Sequence, residues 1–204
     1  MFTIGTHNLL DGKAPATPFA SVIFFTEAIP ARVRTQVSAT HSVYVCRRQP
    51  DLIVAVSRDL GWELVPHYKK AHWGVRKVTP NRGTFWLTSD KHRVALVNEH
   101  RINAAFAPFK RGEGLFRKTM WEIHTRMTLR IIRRLIRKGY TVHAGGDLNV
   151  PRSVRGYRDA LHEVGTGLDR LASTEGLANV RVLSKNGSDH HRPNLGCATA
   201  HGQV

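Results

Sequence analysis

Short apolar runs that stop on a polar, chemistry-bearing residue constrain this chain more than any other feature. Phe19 to Phe25, almost wholly apolar, stops at Thr26-Glu27. Arg93-Val-Ala-Leu-Val-Asn stops at Glu99-His100, and Tyr140-Thr-Val-His-Ala opens into Gly145-Gly146-Asp147-Leu148-Asn149. Runs of this length, bounded by turn residues, read as strands. On an extended backbone residues i and i+2 point to the same side, so Asp147 and Asn149 can face one target. The pattern recurs at Asn8, at Asp169 and at Asp189 with His190. Taken singly, each is an ordinary rim residue or an Asx turn. Six strand ends closing on a carboxylate, an amide or an imidazole are a pattern, because strand ends on one rim of a sandwich converge.

Between these ends the chain alternates strands with a few helices. Phe2 to Leu10 reads as a strand, and Asp11-Gly12 with Pro15 and Pro18 as a loop. Ile29-Pro30 predicts a helix to about Arg48, since proline suits the first helical turn. Asp51 to Ser57 is strand-like, and Trp62 to Pro66 weakly so. The basic stretch Lys69 to Arg76 carries Trp73, either as an aromatic anchor for a polyanion backbone or as a plug into the core. Thr84 to Thr88 and Arg93 to Asn98 pair as a hairpin across Ser89-Asp-Lys-His. A long helix over about Phe116 to Lys138 lines up Met120, Ile123, Met127, Ile131 and Leu135 on one face, and Gly139 closes it. Its other face is rich in arginine, which ordinarily means a solvated surface. A short helix over about Val154 to Val164 and strands near Asp169 and Val180 are expected beyond Asn149.

Composition narrows the partners. The chain has 204 residues, 41% of them hydrophobic, which suits one domain with a proper core. Its net charge of +16 attracts polyanions: DNA, RNA or an anionic surface. Two cysteines, Cys46 and Cys197, make no disulfide framework. No apolar run reaches the roughly 18 residues of a membrane span. The start of the chain does not read as a signal peptide, so an intracellular, cytoplasmic protein is expected. His190, His191, Cys197 and His201 are zinc ligands by type, but their spacing does not follow the usual pairs.

The order of these motifs resembles the endonuclease/exonuclease/phosphatase superfamily, the group of deoxyribonuclease I and exonuclease III. The residues that carry the resemblance are Thr6-His7-Asn8, Phe25-Thr26-Glu27, Val97-Asn98-Glu99-His100, Gly146-Asp147-Leu148-Asn149, Leu168-Asp169-Arg170 and Ser188-Asp189-His190. The resemblance runs from residue 3 to about residue 192, and the fourth and last motifs are its most specific. It implies an α+β fold. Two packed mixed, mostly antiparallel sheets are flanked by helices in four layers, as one domain over residues 1–204, with the segment after about residue 192 unassigned.

It also implies metal-dependent hydrolysis of a phosphate ester. Asn8 and Glu27 would hold Mg²⁺ or Mn²⁺, and Asp189 would add a metal ligand. His190 would take the proton of the attacking water, with Asp169 holding its imidazole. His100 would serve a phosphate or leaving oxygen, Asp147 would orient the nucleophile or bind metal, and Asn149 would donate to the phosphate. Given the charge, the expected substrate is nucleic acid, DNA ahead of RNA, and the expected enzyme a nuclease, in the first place an endonuclease. The alternatives are a small-molecule or lipid phosphoesterase on the same scaffold and a catalytically idle nucleic-acid-binding module. The chain departs from the family at His7, Thr26 and Arg170, where Trp, Gln and an aromatic are common, and at Pro193, which interrupts the last expected strand. No motif supplies the carboxylate that orients the first histidine in some members.

Overall fold

The computed structural model describes residues 2–9, 20–78, 82–101 and 113–147; for Asn8 and Asp147 the backbone is described. Among the described residues eight strands form two four-stranded sheets. The first contains β1 (Ile4–Asn8), β2 (Val22–Thr26), β3 (His41–Val45) and β4 (Ile53–Ser57), in the order β1-β2-β4-β3. The second contains β5 (Val65–Lys70), β6 (Gly83–Ser89), β7 (Val94–His100) and β8 (Thr141–Asp147), in chain order. Each sheet has one parallel pair, β1 with β2 and β7 with β8; the other pairs are antiparallel.

Side-chain alternation sorts the residues into layers. Val22, Phe24, Val54 and Val56 of the first sheet meet Phe85, Leu87, Val94 and Leu96 of the second. Their neighbours Ile23, Phe25, Ile53 and Ala55 turn the other way, against Val33 and Val37 of α1 (Pro30–Val37). On the far side Ala95, Val97 and Val142 pack against Met120, Trp121, Ile131, Ile132 and Leu135 of α3 (Glu113–Arg137). The short α2 (Trp73–Val78) joins this layer through Val75. The described residues therefore stack as helix, sheet, sheet and helices, the four layers expected. Burial of about 1.5–3 kcal/mol for each large apolar side chain drives the stacking.

Two expectations shift. The helix that starts at Pro30 stops at Val37 instead of reaching Arg48, and His41–Val45 is strand β3. The residues decide this: β-branched Thr40, Val43 and Val45 and aromatic Tyr44 suit a pleated surface better than a helix. The strand near Trp62 to Pro66 begins later, at Val65, and runs to Lys70, so the basic stretch starts with the last two residues of an edge strand, Lys69 and Lys70, and ends in helix α2, which opens at Trp73. The hairpin of β6 and β7 and the long helix are found nearly where expected, with α3 starting at Glu113. The helix and strands expected beyond Asn149 lie outside the described residues.

Candidate active site at the rim between the sheets

Pairing register brings the predicted strand ends to one rim. Asn8 pairs with Thr26, next to Glu27, and His100 pairs with Asp147. The two parallel pairs therefore finish together. Strands antiparallel to them begin at the same rim: β4, whose Ile53 pairs with Phe25, follows Asp51, and β6, whose Thr84 pairs with Glu99, follows Arg82.

The seam between the sheets is closed by polar bonds near this rim. Asn98 Nδ2 donates to the carbonyls of Phe25 at 3.0 Å and Ile53 at 2.9 Å, tying β7 to β2 and β4. Gly146 N donates to Thr6 Oγ1 at 3.1 Å, tying β8 to β1. The two glycines make that approach possible. A Cβ on Gly145 would lie 2.6 Å from the Phe24 ring, and one on Gly146 would lie 2.0 Å from the Glu99 carbonyl oxygen. Gly146 also has φ 121°, a conformation that side chains other than hydrogen rarely tolerate.

His100 is the centre of the described site. It continues the inward-facing row of Val94, Leu96 and Asn98, so its ring enters the seam at the mouth, with its side chain 3% exposed. Its Nε2 lies 3.4 Å from Glu27 Oε1 and its Nδ1 3.6 Å from Asp51 Oδ2. The Arg82 guanidinium contacts Nδ1 and lies 3.6 Å from Asp51 Oδ2. Guanidinium has donors only, so a neutral ring accepts from Arg82 at Nδ1 and carries its proton on Nε2, toward Glu27. The ring thus presents an Nε2–H at the rim, the form in which an imidazole can give a proton.

The two carboxylates differ. Burial pushes the Asp51 carboxyl up, but the hydrogen bond from His100 and the charges of Arg82 and His100 outweigh it and hold its pKa below the ordinary range. Glu27 sits at φ 53°, left-handed backbone that is rare for a non-glycine residue. Such strain, about 1–3 kcal/mol, collects at functional sites. Here it turns the residue after β2 back over the rim to His100.

Behind His100 the alternate residues of the same strand face α3. Glu99 and Arg101, each 2% exposed, form an ion pair at 2.5 Å. Thr128 Oγ1 donates to the second Glu99 oxygen at 2.7 Å, and the Thr84 and Thr128 hydroxyls are 2.9 Å apart. The Arg101 guanidinium lies over the Trp121 ring at 5.1 Å. Burial raises the Glu99 carboxyl, but Arg101 and the surrounding donors more than reverse this, so it stays ionised.

Of the residues singled out from sequence, Glu27 and His100 are brought together in full detail, and Asn8 and Asp147 close the neighbouring strands at the same rim. Asn149, Asp169, Asp189 and His190 lie outside the described residues. Asp51 and Arg82 were missed. The signal was available: Pro50-Asp51 and Asn81-Arg82 immediately precede strands that run against β2 and β7.

Glu27 offers the oxygen donor that a hard divalent cation prefers, on strained backbone at the rim where β1 and β8 end. Among the described residues no three His, Cys, Asp or Glu side chains are grouped closely enough to hold a metal ion. Nor, among them, is any helix long and apolar enough to cross a membrane.

This architecture and rim define a two-sheet α+β sandwich with a polar site where the sheets meet. It is similar to β toxin from Staphylococcus aureus, solved as a β-hairpin deletion mutant, at 12% identity and a TM-score of 0.55, covering 80% of this chain and 72% of that one. Two further solved structures match at lower TM-scores. Humanized D. rerio TDP2 carrying 14 mutations matches at 0.45, with 15% identity over 80% of this chain and 66% of that one. The inositol polyphosphate 5-phosphatase domain of SPsynaptojanin, in complex with inositol (1,4)-bisphosphate and calcium ion, matches at 0.42, with 15% identity over 97% of this chain and 74% of that one. No family model and no curated protein matches the sequence. The likeness to β toxin is one of fold, and the two-sheet α+β architecture expected from the sequence is found among the described residues.

Proposed function

We propose that the protein is a divalent-metal-dependent phosphodiesterase that hydrolyses nucleic-acid phosphodiester bonds. One observation carries the reading: His100 is held between Glu27 and Asp51, beside Arg82, at the rim where four predicted strand ends meet. An imidazole with acid partners on both nitrogens and a guanidinium alongside suits an anionic ester whose leaving oxygen needs a proton.

Glu27 and Asn8, with Asp189 and in some arrangements Asp147, would hold Mg²⁺ or Mn²⁺ through oxygen. The ion, when bound, would offset charge on the phosphoryl oxygens. The chain's own groups do the rest. His190 takes the proton of the attacking water, and Asp169 keeps its imidazole in the required tautomer. Asp147 orients that water and Asn149 donates to a phosphate oxygen. His100 donates from Nε2 to a phosphate or leaving oxygen, and Asp51 and Arg82 position its ring.

The choice of a polymer substrate rests on charge. With +16 on 204 residues, phosphate neutralisation and counterion release favour a nucleic acid over a small ester, which needs no such field. DNA ahead of RNA and internal cutting ahead of trimming complete the proposal.

The test incubates the intact chain with supercoiled plasmid and with a single-stranded oligonucleotide in Mg²⁺, with EDTA, His190→Ala and His100→Ala as controls. Cutting that needs metal and falls by about 10²–10⁴-fold in each variant is expected. Cutting unchanged in both variants would sink the assignment. Release of inorganic phosphate from small monoesters, with both nucleic acids left intact, would move the reading to a small-molecule or lipid phosphoesterase.

A further inference from the structure

Beside the candidate site lies a surface that the hydrolytic chemistry does not use. Between Glu63 and Asp90 the chain has no acid, while it carries Lys69, Lys70, Arg76, Lys77 and Arg82. In its middle stands Trp73, whose side chain is left 58% exposed. An indole this exposed, in a stretch with cations and no acid, is an apolar plane that a flat anionic ligand can cover.

The surface is rigid and adjoins the site. Val75 of α2 is fully buried against the α3 layer, and Gly74 comes so close that a Cβ there would lie 2.7 Å from Met120 Sδ. This leaves Trp73 and Arg76, three residues apart on the helix, together on the outer face. Ala71, two residues before Trp73, donates its N–H to the Arg82 carbonyl at 2.9 Å, and the Arg82 guanidinium touches His100. Lys69, Lys70 and His72, just before Trp73 in the chain, are all exposed.

We propose that Trp73, Arg76 and Lys70 form a landing surface for a single-stranded nucleic acid, with a base stacked on Trp73 and its phosphates on the cations. The strand then continues over Arg82 into the site. This rests on the phosphodiesterase reading and names its substrate more closely. A largely exposed indole, with the His72 ring 5.4 Å away at its side, suits an unstacked base, whereas a duplex keeps its base faces covered. A membrane-binding face needs several apolar residues side by side. The other exposed apolar residue of this edge, Val65 (57% exposed), lies at the opposite end of β5, about 17 Å away at about 3.3 Å per residue.

The experiment titrates the intact protein into fluorescein-labelled oligothymidylate with EDTA present, so binding is read without cleavage. Anisotropy, quenching of tryptophan emission and a salt series are recorded for the native chain, Trp73→Ala, Trp73→Phe and Arg76→Ala. Stacking of one base predicts that Trp73→Ala binds about 5- to 100-fold more weakly, with Trp73→Phe close to native. It also predicts that most of the quenching disappears. Arg76→Ala should make the slope of log K against log salt shallower by about 0.7. Equal affinities for native, Ala and Phe chains overturn the proposal. So does equal dependence on Trp73 for a duplex of the same length, or dependence on Trp73 only for phosphatidylserine vesicles. If Trp73→Ala does not fold, the Phe variant and the Arg76 salt slope decide alone. An oligonucleotide held through Trp73 but uncut in Mg²⁺ rejects the hydrolase and keeps this surface; one cut without help from Trp73 does the reverse.

Discussion

Strand β7 carries two polar assemblies on its two faces, and they solve opposite problems. On the inner face Asn98 and His100 look into the seam, where His100 meets Glu27 and Asp51, carboxylates 31% and 36% exposed. On the outer face Glu99 and Arg101 are sealed against α3, with Thr84, Thr128 and Trp121 around them. The same alternation that splits Leu96 from Val97 splits a half-open site from a closed ion pair. The closed pair consumes its own charges and can only hold shape. The open one keeps polar atoms at the mouth, where a substrate can compete for them. A polar group's role is thus set by which side of the strand it falls on.

Breaking each face separately tests this division. The largest effect belongs to the inner face: His100→Ala should lower cleavage by about 10²–10⁴-fold in steady-state assays. Its midpoint in urea should fall less than that of the outer-face variant below, because the carboxylates it leaves behind are reached by solvent. The outer face should behave the other way. Glu99→Ala leaves the Arg101 charge buried and uncompensated, and should cost about 3–5 kcal/mol of stability in equilibrium unfolding. If His100→Ala unfolds the protein and Glu99→Ala spares it, the two faces have been assigned the wrong way round.

Acid sharpens the comparison with a smaller effect. His124 on α3 and His143 on β8 are buried, and burial pushes each down to about 4. Near Arg101, the positive charge also opposes protonation of His124, while Glu99 favours it. The folded value lies below the ordinary 6.5, so between about pH 6.5 and about pH 4 the unfolded chain binds more protons. Stability is therefore full above about pH 6.5 and falls as the pH drops toward 4, by at most about 3 kcal/mol for each imidazole. The lowered carboxyls of Glu99 and Asp51 extend the loss further into acid. His143→Phe, which keeps a ring against Phe2 but removes a titrating group, should flatten the fall in urea midpoints. An unchanged pH slope in that variant would remove His143 from the account.

Much of this arrangement was legible before any coordinates. Strand ends at Glu27, His100 and Asp147 announce themselves because an apolar run stops on a group with chemistry, and parallel pairing then carries those ends to one rim. Asp51 and Arg82 were not legible on the same rule. They stand before strands, not after them, and only the antiparallel pairing of β4 to β2 and of β6 to β7 turns a beginning into a neighbour of an end. Pairing partners are a long-range property that a local pattern does not contain. The helix read through to Arg48 failed for a related reason: a helical spacing of Val37, His41, Tyr44 and Val45 exists, but β3 gains a partner in β4 that the pattern cannot see. Trp73 is the converse case, since both of its readings were open in the sequence and only its exposure separates them.

The smallest effect is the most discriminating one. Asp51 lies 3.6 Å from both His100 Nδ1 and the Arg82 guanidinium, and its side chain is 36% exposed. Asp51→Asn keeps an oxygen in place and removes only charge. A charge-assisted hydrogen bond contributes about 1.5–3 kcal/mol, and solvent screening cuts this at an exposed pair, so a loss of about ten-fold in rate is expected. Unfolding in urea should change by less than about 1 kcal/mol. The folded carboxyl is held below its ordinary value, so the stability it adds is present above that value and is lost as the pH falls through the lower, folded one. Asp51 is thus ionised throughout the neutral range, and the ratio of native to Asp51→Asn rates should be constant from about pH 6 to about pH 8. A ratio that grows or shrinks across that range would mean that the variant changes which proton His100 carries, and Asp51 would then control the proton instead of only the ring's position.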